Sequence, residues 1–138
     1  MRVDANVKDK MDLVPGLYVA EIINAKENTS RKGNAQLIVE FQTIAGPDYE
    51  NGEPSDGHEI TEFLTLSFEG YEAKGAAFLK GKLQDFVAGL GKTMEEFRDL
   101  EAEDLIGEKV NILVVNKPDK NGFLRPQIDG YKIYSDVE

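Results

Sequence analysis

Cysteine is absent from the 138 residues. That excludes a disulfide framework, thiolate metal ligation and a thiol nucleophile, and it fits a reducing cytoplasm. Histidine occurs once, at His58, with no partner at a metal-ligand spacing. His58 is therefore expected to be a loop residue. No apolar run approaches the roughly 20 residues needed to span a bilayer. Met1 to Met11 alternates charges with single apolar residues, unlike a secretory signal. No Walker-type loop, Gly-x-Ser-x-Gly elbow or His-Glu-x-x-His pair occurs. The acidic cluster Asp99, Glu101, Glu103 and Asp104 reads as a solvated face. No catalytic residue, metal or cofactor is expected, and no membrane partner.

What is present suits one globular domain: 41% hydrophobic and 30% charged residues in a chain long enough to bury a core unaided. The net charge of −10 argues against phosphate binding, which needs Lys and Arg. The charges are unevenly placed, however. Lys92 to Glu108 holds two basic and seven acidic residues, and Pro47 to Glu62 holds six acidic residues with no Lys or Arg. Lys26 to Asn34 has three basic and one acidic residue, and Lys109 to Arg125 four basic and one acidic. An anion-binding module concentrates cations in this way, and so does an acidic protein with uneven loops.

Along the chain, residues 1–14 form a polar arm and residues 15–138 one domain. Leu17 to Ala25 reads as a strand, rich in β-branched and aromatic residues. Lys26 to Asn34 reads as a loop. Leu37, Val39 and Phe41 alternate in a second strand, and Gly46 to Gly57 is an irregular loop. Ile60, Leu64, Leu66 and Phe68 mark a third strand whose parity Glu62 breaks. Leu79, Leu83, Phe86, Val87 and Leu90 then fall at helical spacing, predicting a helix over Ala76 to Leu90 with Gly91 just past its end. Thr93 and Glu96 form a capping box for a short second helix. Val110, Ile112 and Val114 give a fourth strand. Asn121-Gly122 signals a hairpin, and Phe123 to Tyr134 a fifth strand with a bulge at Gly130.

Three strands, a helix and two strands is the order of the OB fold, a mainly β five-stranded Greek-key barrel. Its ligands lie across strands 2 and 3, between the loops joining strands 1–2 and 4–5. Here those loops, Lys26–Asn34 and Lys117–Gly122, coincide with the two basic segments.

The run Pro15-Gly16-Leu17-Tyr18-Val19-Ala20-Glu21-Ile22, then Ser30-Arg31-Lys32-Gly33-Asn34, then Glu103-Asp104-Leu105-Ile106-Gly107-Glu108-Lys109-Val110, resembles a family of short bacteriophage proteins of formerly unknown function, taken to be OB-fold single-stranded DNA-binding proteins. The resemblance covers about Pro15 to Tyr134. It implies a role in phage DNA replication or recombination in the host cytoplasm. It further implies phage or host replication or recombination proteins as partners, with self-association into a homo-oligomer left open. The end, Ser135-Asp136-Val137-Glu138, lacks the long acidic tail with an apolar tip found on many single-strand binders.

Single-strand binding needs cations that follow phosphates and flat rings on which bases stack. Lys26, Arg31 and Lys32 are the cations of the first loop, where Gly33 and Asn34 are expected to offer backbone N–H groups to a phosphate. Lys117, Lys120 and Arg125 are those of the second. Phe63, among Thr61, Thr65 and Ser67, and Phe123, beside Arg125, are the candidate stacking rings. Tyr18 and Phe41 sit on apolar parities and are expected in the core. The alternative is a protein-interaction adaptor on a small β-barrel without nucleic-acid binding, since small barrels host many functions.

Overall fold

The computed structural model describes residues 11–135. The expected arm of residues 1–14 falls mostly on residues 1–10, outside the described residues, as do positions 136–138 of the C-terminal end. Leu13 is buried, and the Tyr18 hydroxyl donates to the Val14 carbonyl (2.6 Å), so the last residues of that arm belong to the domain.

Five strands form one antiparallel sheet: β1 (Gly16–Thr29), β2 (Ala35–Ala45), β3 (Glu59–Thr65), β4 (Lys109–Pro118) and β5 (Leu124–Ile133), in the order β3-β2-β1-β4-β5. Between β3 and β4 lie α1 (Ala73–Gly89), the short α2 (Met94–Arg98) and a 3-10 turn at Ala102–Leu105. No helix among the described residues is long and apolar enough to cross a membrane.

Period-2 alternation drives each strand to bury one face. Tyr18, Ala20 and Ile22 of β1, Leu37, Val39 and Phe41 of β2, and Val110, Ile112 and Val114 of β4 are all buried, and α1 covers them with Leu83, Phe86 and Val87. Leu79 and Leu66, expected in the core, are only half-buried. Glu62 takes the inward parity that the sequence questioned, because Lys82 of α1 meets its carboxylate in an ion pair. The Thr93–Glu96 capping box forms, with both bonds at 3.1 Å.

Two expectations need correction. The order of strands and main helix along the chain is recovered, but the barrel is not closed. β3 and β5 are the two edges of an open sheet, and no ladder joins them among the described residues. β5 is a poor donor strand there. Pro126 has no N–H, and the ladder shifts register where Leu113 pairs with Gly130 and Val114 with Ile128, leaving Asp129 as the extra residue of the expected bulge. α1 packs beneath the gap instead. Its close approach to β5 requires Gly89, where an added Cβ would lie 2.5 Å from that of Tyr131. Secondly, Lys26 is not in a loop. β1 stays paired with β2 to Thr29↔Ala35, and its last four residues, Lys26 to Thr29, are exposed, where polar side chains keep the ladder without losing solvent. Likewise α1 begins at Ala73, three residues before the apolar stripe suggested.

Candidate nucleic-acid interface

The β1–β2 turn is a closed five-residue loop. Ser30 N–H donates to the Asn34 carbonyl (2.8 Å), Gly33 N–H to the Ser30 carbonyl (2.9 Å), and Asn34 N–H to Ser30 Oγ (3.2 Å). Gly33 sits at φ +86°, in the left-handed region that favours glycine. The expectation that Gly33 and Asn34 offer free N–H groups to a phosphate is thus corrected, since the turn consumes both. Asn34 is also buried, and its Nδ2 donates to the Ser67 (3.1 Å) and Glu69 (2.8 Å) carbonyls. Ala35 N–H donates to Ser67 Oγ (3.0 Å). These bonds stitch the turn to the connection between β3 and α1, and so bring Tyr71 under Lys32, whose Nζ lies 4.5 Å from the ring centroid.

On the outer face the register aligns three side chains. Lys26 pairs with Ile38, and Ile38 with Phe63. Paired residues of an antiparallel ladder share a face, so cation, aliphatic and ring form one row about 10 Å across. Phe63 is 52% exposed. The next row toward the turn, Asn28–Gln36–Thr65, carries no charge, whereas the row on the other side contains Glu40. Beyond the uncharged row stand Arg31 and Lys32, both exposed. Neither Lys26 nor Arg31 has an ion pair among the described residues. Ile38 and Tyr71 were missed by the sequence reading. The parity of Ile38 follows from that of β2, but Tyr71 meets the turn only through a contact spanning 39 positions.

The second basic segment differs. Lys117 pairs with Asp129, and Arg125 Nε lies 3.5 Å from Asp119 Oδ2. Asp119 Oδ1 also accepts from the N–H groups of Asn121 (2.8 Å) and Phe123 (3.0 Å), which shapes the β4–β5 turn. Lys120 and Phe123 are exposed, Phe123 by 64%. The structure does not bring this segment beside the first. The β1–β2 turn closes one end of β1, while β4 and β5 run on past Gly16↔Val114 at the other.

A cleft of about 520 Å³ occupies the gap between β3 and β5, lined by Ile60, Glu62, Phe78, Lys82, Asp85 and Tyr131 among others. Its two cations, Lys82 and Lys117, are each paired to a carboxylate, which makes it a poor phosphate site. The Tyr131 hydroxyl is buried there without a hydrogen-bond partner. Burial, and then the charges of Glu62 and Asp85, push its phenol far above the ordinary value. A group held neutral in the fold loses stability as pH rises past its unfolded value of about 10. Because the orphan hydroxyl contributes nothing to offset its desolvation, Tyr131→Phe is expected to keep stability or raise it by up to about 1–3 kcal/mol in a urea melt. A loss above about 1 kcal/mol would show that the hydroxyl is satisfied.

His58 shares a hydrogen bond with the Tyr49 hydroxyl (2.8 Å) in the long β2–β3 loop. Compared with known proteins, the chain matches no family model and no curated protein sequence.

Proposed function

We propose that this chain is an OB-type single-stranded DNA-binding protein of the phage kind that its motifs resemble, serving replication or recombination. The strand bases rest on the outer face of β1 to β3. The observation that carries the reading is the Lys26–Ile38–Phe63 row beside the exposed cations Arg31 and Lys32, on a chain whose net charge is −10. Excess acid elsewhere leaves this as a localised cationic face with a ring at its β3 edge. The pairing of β1 with both β2 and β4, and the helix between β3 and β4, support the OB assignment, with the barrel left open at β3 and β5.

The chemistry divides in two. Lys26, Arg31 and Lys32 follow phosphates and carry no sequence information. Phe63 offers a stacking surface that accepts any base, and Ile38 widens the apolar floor beneath the next one. Phe63→Ala is expected to cost about 1–3 kcal/mol of binding in a fluorescence-anisotropy titration with a labelled oligonucleotide. The dependence of affinity on salt should stay as it was, since no cation is removed. Reversal of Lys74 and Lys80 on α1 provides the control and should leave binding nearly unchanged. If that control abolishes binding while Phe63→Ala does not, the site lies off this face.

A further inference from the structure

A second concavity lies on the inner side of the same hairpin. It is a groove of about 320 Å³ with Leu37, Leu83 and Leu105 buried at its floor and Leu66, Phe97 and Leu100 half-buried in its walls. Met94 stands at the mouth, 38% exposed. Glu27 and Glu101 line it together with one cation, Arg98, and the surrounding stretch from Lys92 to Glu108 carries seven carboxylates against two cations. Glu27, Glu95, Asp99 and Glu103 have no ion pair among the described residues. The groove therefore asks for apolar side chains flanked by cations, and its acid repels phosphate.

The chain itself carries that complement. At the β4–β5 turn, Phe123 and Leu124 are 64% and 65% exposed, and they are bracketed by Lys120 and Arg125. Within one molecule this turn and the groove cannot meet. The groove takes Glu27 from the end of β1 and Ala35 and Leu37 from the start of β2, beside the first turn, and the β4–β5 turn projects beyond the other end of β1. We propose that the β4–β5 turn of one copy docks into the α2-side groove of the next, with Phe123 and Leu124 as anchors and Lys120, which has no ion pair among the described residues, facing the acidic rim. The two surfaces lie at opposite ends of β1, so the contact propagates head to tail, into a ring where the rotation closes and a filament where it does not, rather than as a reciprocal dimer. Lys26 and Glu27 point to opposite faces of β1, so the groove can fill while the DNA face stays open. Successive copies then line up along one strand, and binding to long DNA is cooperative.

Analytical ultracentrifugation of the full chain without DNA tests this. The average mass should climb with concentration past that of a dimer, and less so at high salt. Met94→Glu, and separately Phe123→Ala with Leu124→Ala, should each weaken self-association at least tenfold. All these positions are exposed, so a melt should match the parent. The deciding step is mixing: Met94→Glu retains a good turn and the double variant a good groove, so together they should form a one-to-one pair that grows no further. A parent that stays monomeric at every concentration, a closed symmetric dimer, or a mixture that remains monomeric would overturn the proposal. Met94→Glu should still bind an oligonucleotide one site long, which separates this interface from the DNA face.

Discussion

Phe86→Ala should cost about 3–5 kcal/mol in a denaturant melt, the range for truncating a fully buried aromatic ring. Phe86 has no exposed surface, and three rings meet it edge-on: Phe41 of β2 at 6.2 Å, Tyr131 of β5 at 5.3 Å and Phe97 of α2 at 6.3 Å. In a closed barrel, β3 and β5 would hold each other by backbone hydrogen bonds. Here the sheet is open, so α1 joins its two halves through this ring. The cavity left by Ala would loosen β2, β5 and α2 together. Against a total stability of about 5–15 kcal/mol for a domain this size, the loss brings the fold near its threshold. Phe78→Ala on the same helix, 73% exposed, should change stability by no more than about 0.5 kcal/mol. A loss at Phe86 below about 1 kcal/mol would mean that α1 is not what holds the sheet edges.

Reversal of Lys26, Arg31 and Lys32 to Glu together should weaken single-strand binding on the order of 10²–10³-fold at about 50 mM salt. Each phosphate contact on a single strand contributes about 0.7 to the slope of log affinity against log salt, so three lost contacts flatten it by about 2. The loss corresponds to about 3–4 kcal/mol, more than Phe63→Ala removes, and it should fall equally on all base sequences. The same reversal of Lys117, Lys120 and Arg125 should do less, because carboxylates already face Lys117 and Arg125. Anisotropy titrations at several salt concentrations separate the slope from the intercept. An unchanged slope after the first reversal would remove those cations from the interface.

Alternation and helical spacing made the element order and most of the core legible in the sequence. Tyr18, Phe41, Leu83 and Phe86 are buried as their parities require. Where reading failed, the cause lay in partners distant along the chain. Glu62 looked like a parity error until Lys82 supplied its ion pair from the helix. Asn34 looked like a loop residue open to a ligand, but the carbonyls of Ser67 and Glu69 draw it inward. Closure between β3 and β5 depends on two edges that no local pattern compares, and Pro126 and the bulge at Asp129 act on only one of them. For the candidate site, Lys26 and Phe63 were found by composition and parity. Their alignment through Ile38 needs the register of two ladders, and Tyr71 needs the tertiary stitch of the turn to the β3–α1 connection.

The most direct test of the central claim is a competition titration of the full chain with a labelled single-stranded oligonucleotide and its duplex, each at low and at physiological salt. A face built from one exposed ring and a few cations should favour the single strand, whose bases can stack, over the duplex, whose bases are occupied with each other. The single-strand affinity should fall only shallowly with salt, because few phosphates are held. Equal affinity for the duplex, or no binding of the single strand even at low salt, would contradict the account.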